Sequence, residues 1–236
     1  MSQEESVTAD TEKTEENEDE CIQLSQAALD ALNEYLAEKN EREQRLRLIE
    51  ESASNSDLLD EVDLEENWQL SQFWYDDITS HTLASEVLRI VGDRGSVACI
   101  SCPTLYKYLR KIKSAEITIK LLEFDTRFSI YGEDFILYDY RSPLEISKEL
   151  SSSFDVVVAD PPFLSEECLT KTALTMRYLS KGPLILCTGA IMEELAGRLL
   201  QLKMCSFRPG HKNNLANDFR CYANYDFDEQ VKNIVA

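Results

Sequence analysis

From residue 80 to residue 225 the chain alternates short apolar runs with helix-periodic blocks, and this alternation constrains the fold more than any other feature. The spacing predicts strands at 96–100, 117–124, 135–138, 154–159, 183–187, 203–207 and 219–225. It predicts helices at 80–91, 103–112, 165–179 and 191–200, with a further short helix after Pro143. Strands joined by helices need right-handed crossovers, so the expected core is a mostly parallel α/β sheet covered on both faces, with ligands at the carboxyl ends of its strands. No helical pattern separates the last two strands, which are expected to pair antiparallel through a long connection.

The N-terminal quarter reads differently. Residues 1–66 hold 22 acidic and 5 basic side chains, whereas residues 67–236 hold 22 and 19, so the formal charge of -20 sits mainly at one end. A run such as Glu15-Glu16-Asn17-Glu18-Asp19-Glu20 repels itself and has nothing to bury, which predicts an acidic disordered tail over 1–20. Ser25 can cap a helix carrying Leu29, Leu32 and Leu36, with Leu24 and Leu29 as its staple. Residues 21–66 therefore read as a short helix, then from residue 38 a partly helical extension passing into a flexible acidic linker, and 67–236 as the main domain. The chain shows neither a leader pattern nor an 18-residue apolar span, so a cytoplasmic protein is expected. Seven cysteines, among them Cys99, Cys187, Cys205 and Cys221 inside apolar patterns, fit reduced buried thiols. Cys99 and Cys102 form a Cys-x-x-Cys without the second pair a structural zinc site needs, and no metal is expected.

Chemistry concentrates after the most apolar strand, where the chain reads Asp160-Pro161-Pro162-Phe163. Two successive prolines fix the backbone and remove two N–H donors, leaving carbonyls and the Asp160 carboxylate as acceptors. An acceptor-only loop suits a group that carries N–H bonds and becomes positive as it reacts, such as an amine attacking a methyl sulfonium. Asp160 and the Pro161 carbonyl would hold the amine hydrogens, and the Phe163 ring would face the developing cation, with Pro162 beside the substrate. The alternative is a stiff turn after a buried strand. Position favours chemistry, because the motif follows the fourth strand, where a doubly wound sheet reverses its order.

Asp-Pro-Pro-Phe after a fourth strand is similar to the [Asp/Asn/Ser]-Pro-Pro-[Tyr/Phe] signature of S-adenosylmethionine-dependent methyltransferases acting on amino or planar nitrogens. A closer resemblance spans 65–225: Glu65 to Tyr75, Tyr131 to Phe135, Ala159 to Cys168, Leu186 to Glu194 and Asn214 to Tyr225 look like the eukaryotic lysine methyltransferases of elongation factor 1-alpha, a family first named as N6-adenine DNA methyltransferases. The resemblance implies the seven-strand class I methyltransferase (Rossmann-like) fold, with an antiparallel C-terminal hairpin and an N-terminal helical extension. It implies S-adenosyl-L-methionine as methyl donor, with Glu123 on the ribose hydroxyls (Asp125 competing for that role), Asp139 on the adenine amine and Asp160 at the transferred methyl. The first-strand loop departs from the common pattern. It reads Ile100-Ser101-Cys102-Pro103-Thr104 with no glycine, so Ser101, Cys102 and Pro103 would have to do the cofactor-binding work of a Gly-rich turn. Gln72-Phe73-Trp74-Tyr75 reads either as packing or as a lid in which Trp74 and Tyr75 meet substrate. Asn214 and Asn217 read as substrate-side or turn residues, and His81 and His211 as too separated for a metal site or triad.

The expectation is a protein-lysine N-methyltransferase, monomeric, with elongation factor 1-alpha as its protein substrate. Two rivals stand beside it. An N6-adenine DNA or RNA methyltransferase would need a basic groove, and the one basic cluster, Lys107, Arg110, Lys111, Lys113 and Lys120, reads as a solvated helix face. A non-catalytic interaction module would have lost the cofactor along with the glycines.

Overall fold

A computed structural model of the protein describes residues 25–51, 64–213, 215 and 217–232. The acidic tail at 1–20, Leu24, the linker at 52–63 and Asn214 lie outside the described residues.

Helix α1 runs Gln26–Glu51, joining the expected short helix and the first part of its expected helical extension in one continuous helix. Its start matches the expected cap, with the Ala28 N–H donating to Ser25 Oγ at 3.3 Å. Residues 26–51 contain no proline or glycine and are rich in Ala, Leu, Glu, Gln and Arg, so intrinsic propensity carries the helix past the point where its apolar face fades.

The α/β domain has seven strands: β1 Gly95–Ile100, β2 Ile117–Glu123, β3 Phe135–Leu137, β4 Val156–Ala159, β5 Leu184–Gly189, β6 Lys203–Met204 and β7 Phe219–Ala223. They lie in the order β3-β2-β1-β4-β5-β7-β6. The first five are parallel, and β7 returns between β5 and β6, antiparallel to both. This is the expected sheet with its antiparallel ending. Among the described residues the domain also has five α-helices: α2 Asp77–Val91, α3 Pro103–Ile112, α4 Glu166–Leu179, α5 Glu193–Leu200 and α6 Phe227–Val231. The helix expected after Pro143 is absent; the segment turns repeatedly and makes one 3-10 turn at Lys148–Leu150.

Successive strand residues feed two cores, one on each face of the sheet. Val97, Cys99, Val156 and Val158 pack with Leu83, Val87, Leu105 and Leu109 of α2 and α3. Ala98, Ile100, Val157 and Ala159 pack with Leu169, Met176, Leu195 and Ala196 of α4 and α5. The unbroken apolar runs Val97–Ile100 of β1 and Val156–Ala159 of β4 therefore reflect burial on both sides. Leu64, 3 % exposed, already belongs to the first core, so the packed domain begins a few residues before Trp68. The strand order reverses between β1 and β4, and the crevice above their carboxyl ends is the switch point at which this architecture binds ligands.

Candidate active site

Above the switch point lies a cavity of about 760 Å³. The end of β4 supplies its floor. The Asp160 N–H donates to the Ile100 carbonyl at 3.0 Å, which extends the β1–β4 pairing one residue beyond the strand and fixes where the carboxylate leaves the backbone. Pro161 is buried, Pro162 half-buried and Phe163 exposed, with the Phe163 ring edge-on to Tyr140 at 5.8 Å. Ser165 Oγ then accepts from the Cys168 N–H at 3.2 Å and starts α4. All four motif residues line the cavity.

The glycine-free loop after β1 solves its problem with serine. Ser101 takes the left-handed conformation, φ 53°, that glycine would supply at no steric cost, and its N–H donates to the Leu122 carbonyl at 2.8 Å. Pro103 opens α3, whose first turn has no side-chain cap. Ser101 and Pro103 line the cavity; Cys102 does not. Its thiol packs in the core against the Val158 carbonyl at 3.7 Å.

Four acids stand at or just beyond the strand ends. Glu123 Oε1 accepts from the Phe124 and Asp125 N–H groups at 2.9 and 3.2 Å. Burial, which outweighs those donors, pushes its carboxyl up to about 7. Asp125 is gripped by the Arg127 guanidinium at 2.6–3.1 Å and lies off the cavity wall, which leaves Glu123 as the β2 carboxylate facing a ligand. Asp139 lines the cavity but is forked by Arg141 at 2.6–3.0 Å, and that guanidinium holds its carboxyl below the usual range. Asp160 is pushed up to about 7 by burial and by the nearby Glu123 charge, against a lowering contribution from the Tyr75 hydroxyl.

The opposite wall combines Leu70 to Phe73 with His211, Leu215, Asn217 and Phe219. A backbone clasp joins these distant segments. Tyr75 bridges His211, the Asp76 N–H donates to the Gly210 carbonyl at 3.0 Å, and the Lys212 N–H donates to the Trp74 carbonyl at 2.8 Å. The Gly210 N–H donates to Thr79 Oγ1 at 2.8 Å, and Asn213 Nδ2 to Glu66 at 2.6 Å. Trp74 and Tyr75 fall outside the large cavity and line a smaller one of about 160 Å³. The Trp74 indole donates to the Leu64 carbonyl at 2.8 Å and packs on Phe128, while Tyr75 is buried. The wall residues facing the cavity are instead Gln72 and Phe73 from the same run, together with His211, Tyr140, Arg141, Ile191 and Phe219. His211 could not be found from its isolation in the sequence, because only the clasp brings it to the site. Burial lowers the proton affinity of its ring, against the opposing charges of Asp76 and Glu66.

The donor set can hold a nucleoside with a charged tail. A carboxylate at the end of β2 can take vicinal hydroxyls, and the uncapped start of α3 offers N–H groups to an anionic tail. The acceptor loop at the end of β4 is left for an amine. Among the described residues no group of His, Cys, Asp and Glu is arranged to hold a metal ion.

Comparison with known proteins places this geometry. A family profile described as "Probable N6-adenine methyltransferase" matches residues 66–227. A human protein named EEF1A lysine methyltransferase 1 is 50 % identical over 210 residues, covering 89 % of this chain and 94 % of the relative. A Drosophila melanogaster protein named Protein-lysine N-methyltransferase CG9154 is 41 % identical over 229 residues, covering 91 % and 99 %. Among solved structures, a branched-chain polyamine synthase from Thermus thermophilus, in complex with N4-aminopropylspermidine and 5'-methylthioadenosine, aligns with a TM-score of 0.52 at 11 % identity. It covers 68 % of this chain and 59 % of that one and shares the fold.

Proposed function

The chain belongs to the family whose members are named EEF1A lysine methyltransferase 1, and from that premise we propose how its cavity works: Asp160 and the Pro161 carbonyl receive a lysine amine of elongation factor 1-alpha and aim it at the methyl of S-adenosylmethionine. The enzyme is an S-adenosylmethionine-dependent protein-lysine N-methyltransferase. Bound S-adenosylmethionine supplies an electrophilic methyl group on a sulfonium.

The cavity's residues fit that cofactor. Glu123 is the acceptor for its ribose hydroxyls, the turn at Ser101 and the N–H groups at the start of α3 serve its amino-acid end, and Asp139 with Tyr140 and Arg141 encloses its base. The observation that carries the catalytic assignment is the chemistry of the β4 exit, where two prolines remove donors beside a carboxylate held near neutrality. A lysine ammonium titrates near 10.4 in water and must lose a proton before it attacks. An Asp160 at about 7 is roughly three units weaker as a base. That gap narrows when the ammonium is stripped of water in the cavity, where desolvation lowers its proton affinity. Asp160 thus orients the amine and takes part in removing its proton, while Phe163 and Tyr140 set an aromatic corner beside the cation that forms.

The profile's description names adenine, but 50 % identity over nearly the whole human relative supports lysine. A work site in the cytoplasm, where translation factors act, and a monomeric enzyme complete the proposal. No helix among the described residues is long and apolar enough to cross a membrane. The test is methyl transfer from labelled cofactor to purified elongation factor 1-alpha, beside adenine-containing DNA and RNA. Label in the protein alone, abolished by Asp160→Ala, is the expected result; label in adenine, or transfer indifferent to Asp160→Ala, would refute it.

A further inference from the structure

Tyr75 holds a polar atom that the mechanism above does not use. Its side chain is 1 % exposed, and its buried hydroxyl closes no hydrogen bond among the described residues. Burying a hydroxyl without a partner costs stability, so such an atom needs a reason. The ionisable groups that act most on this hydroxyl are the Asp160 carboxylate and the Cys187 thiol. Of the two, an ionised carboxylate is much the stronger acceptor for a phenol proton. The ring has little freedom to turn elsewhere. Tyr75 bridges His211, its ring lies 5.4 Å from the His211 ring, and the flanking residues Trp74 and Asp76 are bonded to Lys212 and Gly210.

We propose that Tyr75 is a positioning residue for Asp160: its hydroxyl donates to one carboxylate oxygen, fixes the rotamer, and leaves the other oxygen and the Pro161 carbonyl to the substrate amine. The inference rests on Asp160 being the acceptor of that amine. It accounts for a phenol at this depth and gives the clasp a catalytic purpose, since the clasp sets the height of the ring. The groups around Asp160 are Tyr75, Glu123 at the end of β2 and the Cys102 thiol; those around the phenol also include Cys187 and the His211 ring. Glu123 favours the protonated form of Asp160 and the Tyr75 donor opposes it, so losing the hydroxyl makes Asp160 harder to ionise.

The test compares Tyr75→Phe with Asp160→Asn in the full-length enzyme, measuring kcat, both KM values and the pH dependence of kcat/KM. The expected result for Tyr75→Phe is a kcat about tenfold lower with both KM values within twofold, and the break that Asp160 puts into the profile displaced to higher pH. A wild-type kcat and an unmoved break, with Asp160→Asn inactive, would overturn the proposal and leave the role of Asp160 standing. An active Asp160→Asn would instead overturn the reading on which the proposal rests. A fall confined to KM would assign the hydroxyl to packing and overturn the proposal too. Should Tyr75→Phe fail to fold, 3-fluorotyrosine at position 75 takes its place. This near-isosteric, stronger donor moves the break to lower pH if the proposal holds, and an unmoved break overturns it.

Discussion

Two carboxylates with raised proton affinity in one cavity tie the chemistry of this enzyme to its stability. Asp160 titrates near 3.8 in an unfolded chain and about 7 in the folded one. Between those values the folded state keeps a proton that the unfolded state has released, so this residue's contribution to stability falls as pH rises from about 4 to about 7 and stays low above that. Asp160→Asn should therefore raise stability by about 1–3 kcal/mol at pH 8, a fraction of the full shift because the cavity admits water, with the gain vanishing near pH 4. Denaturant melts at the two pH values check the sign, and the same protein should lose at least about a hundredfold in kcat while still binding cofactor. Ser101 offers a second check at this scale. Its left-handed φ costs about 1 kcal/mol. Ser101→Gly removes that strain and adds a comparable unfolded-state entropy, so stability should stay within about 0.5 kcal/mol and activity should persist. Ser101→Val, a branched residue at positive φ, should cost about 2 kcal/mol and weaken cofactor binding, readable by melting and calorimetry.

Among the elements, β4 with its Asp-Pro-Pro-Phe exit was legible because burial on both faces leaves a run of Val-Val-Val-Ala and because consecutive prolines are rare punctuation. The clasp was not. It is built from backbone groups of loops that meet only after the sheet has formed, and no periodicity marks it, which is why His211 was missed and why Trp74 and Tyr75 stand behind the cavity wall instead of on it. Helix α1 runs unbroken into the segment expected to be only partly helical, because an apolar face signals packing, whereas propensity alone can continue a helix. The competition between Glu123 and Asp125 was likewise undecidable from spacing, since it turns on Arg127 taking Asp125. The clasp makes a prediction of its own. A methyl group at Gly210 would sit 2.2 Å from Asp76 Oδ2, on the residue whose other oxygen caps α2 at Thr79 with a 2.7 Å bond. Gly210→Ala should then cost about 1–3 kcal/mol. By loosening the wall that carries Phe73 and His211 it should also raise KM for both substrates more than it lowers kcat. Steady-state kinetics beside a melting curve separate the two effects.

For the molecule as a whole, the question is what a charge of -20 does for an enzyme whose 67–236 segment carries only -3. Charges act over about 8 Å at physiological ionic strength, so any part an acidic run takes in encounter with a substrate shows as a dependence on salt. Residues 1–20 alone hold nine acidic side chains and one lysine. A polyanion would be turned away by such a run, and a protein presenting a lysine within a positive surface would be drawn to it. Deleting residues 1–20 should leave kcat unchanged and reduce kcat/KM for elongation factor 1-alpha by a few-fold at about 20 mM salt, the difference disappearing by about 500 mM as the field is screened. The steepness of log(kcat/KM) against ionic strength is the measurement. A truncated enzyme with the same steepness would mean that the acidic run takes no part in capture, and one with a changed kcat would mean that it acts on the cavity itself.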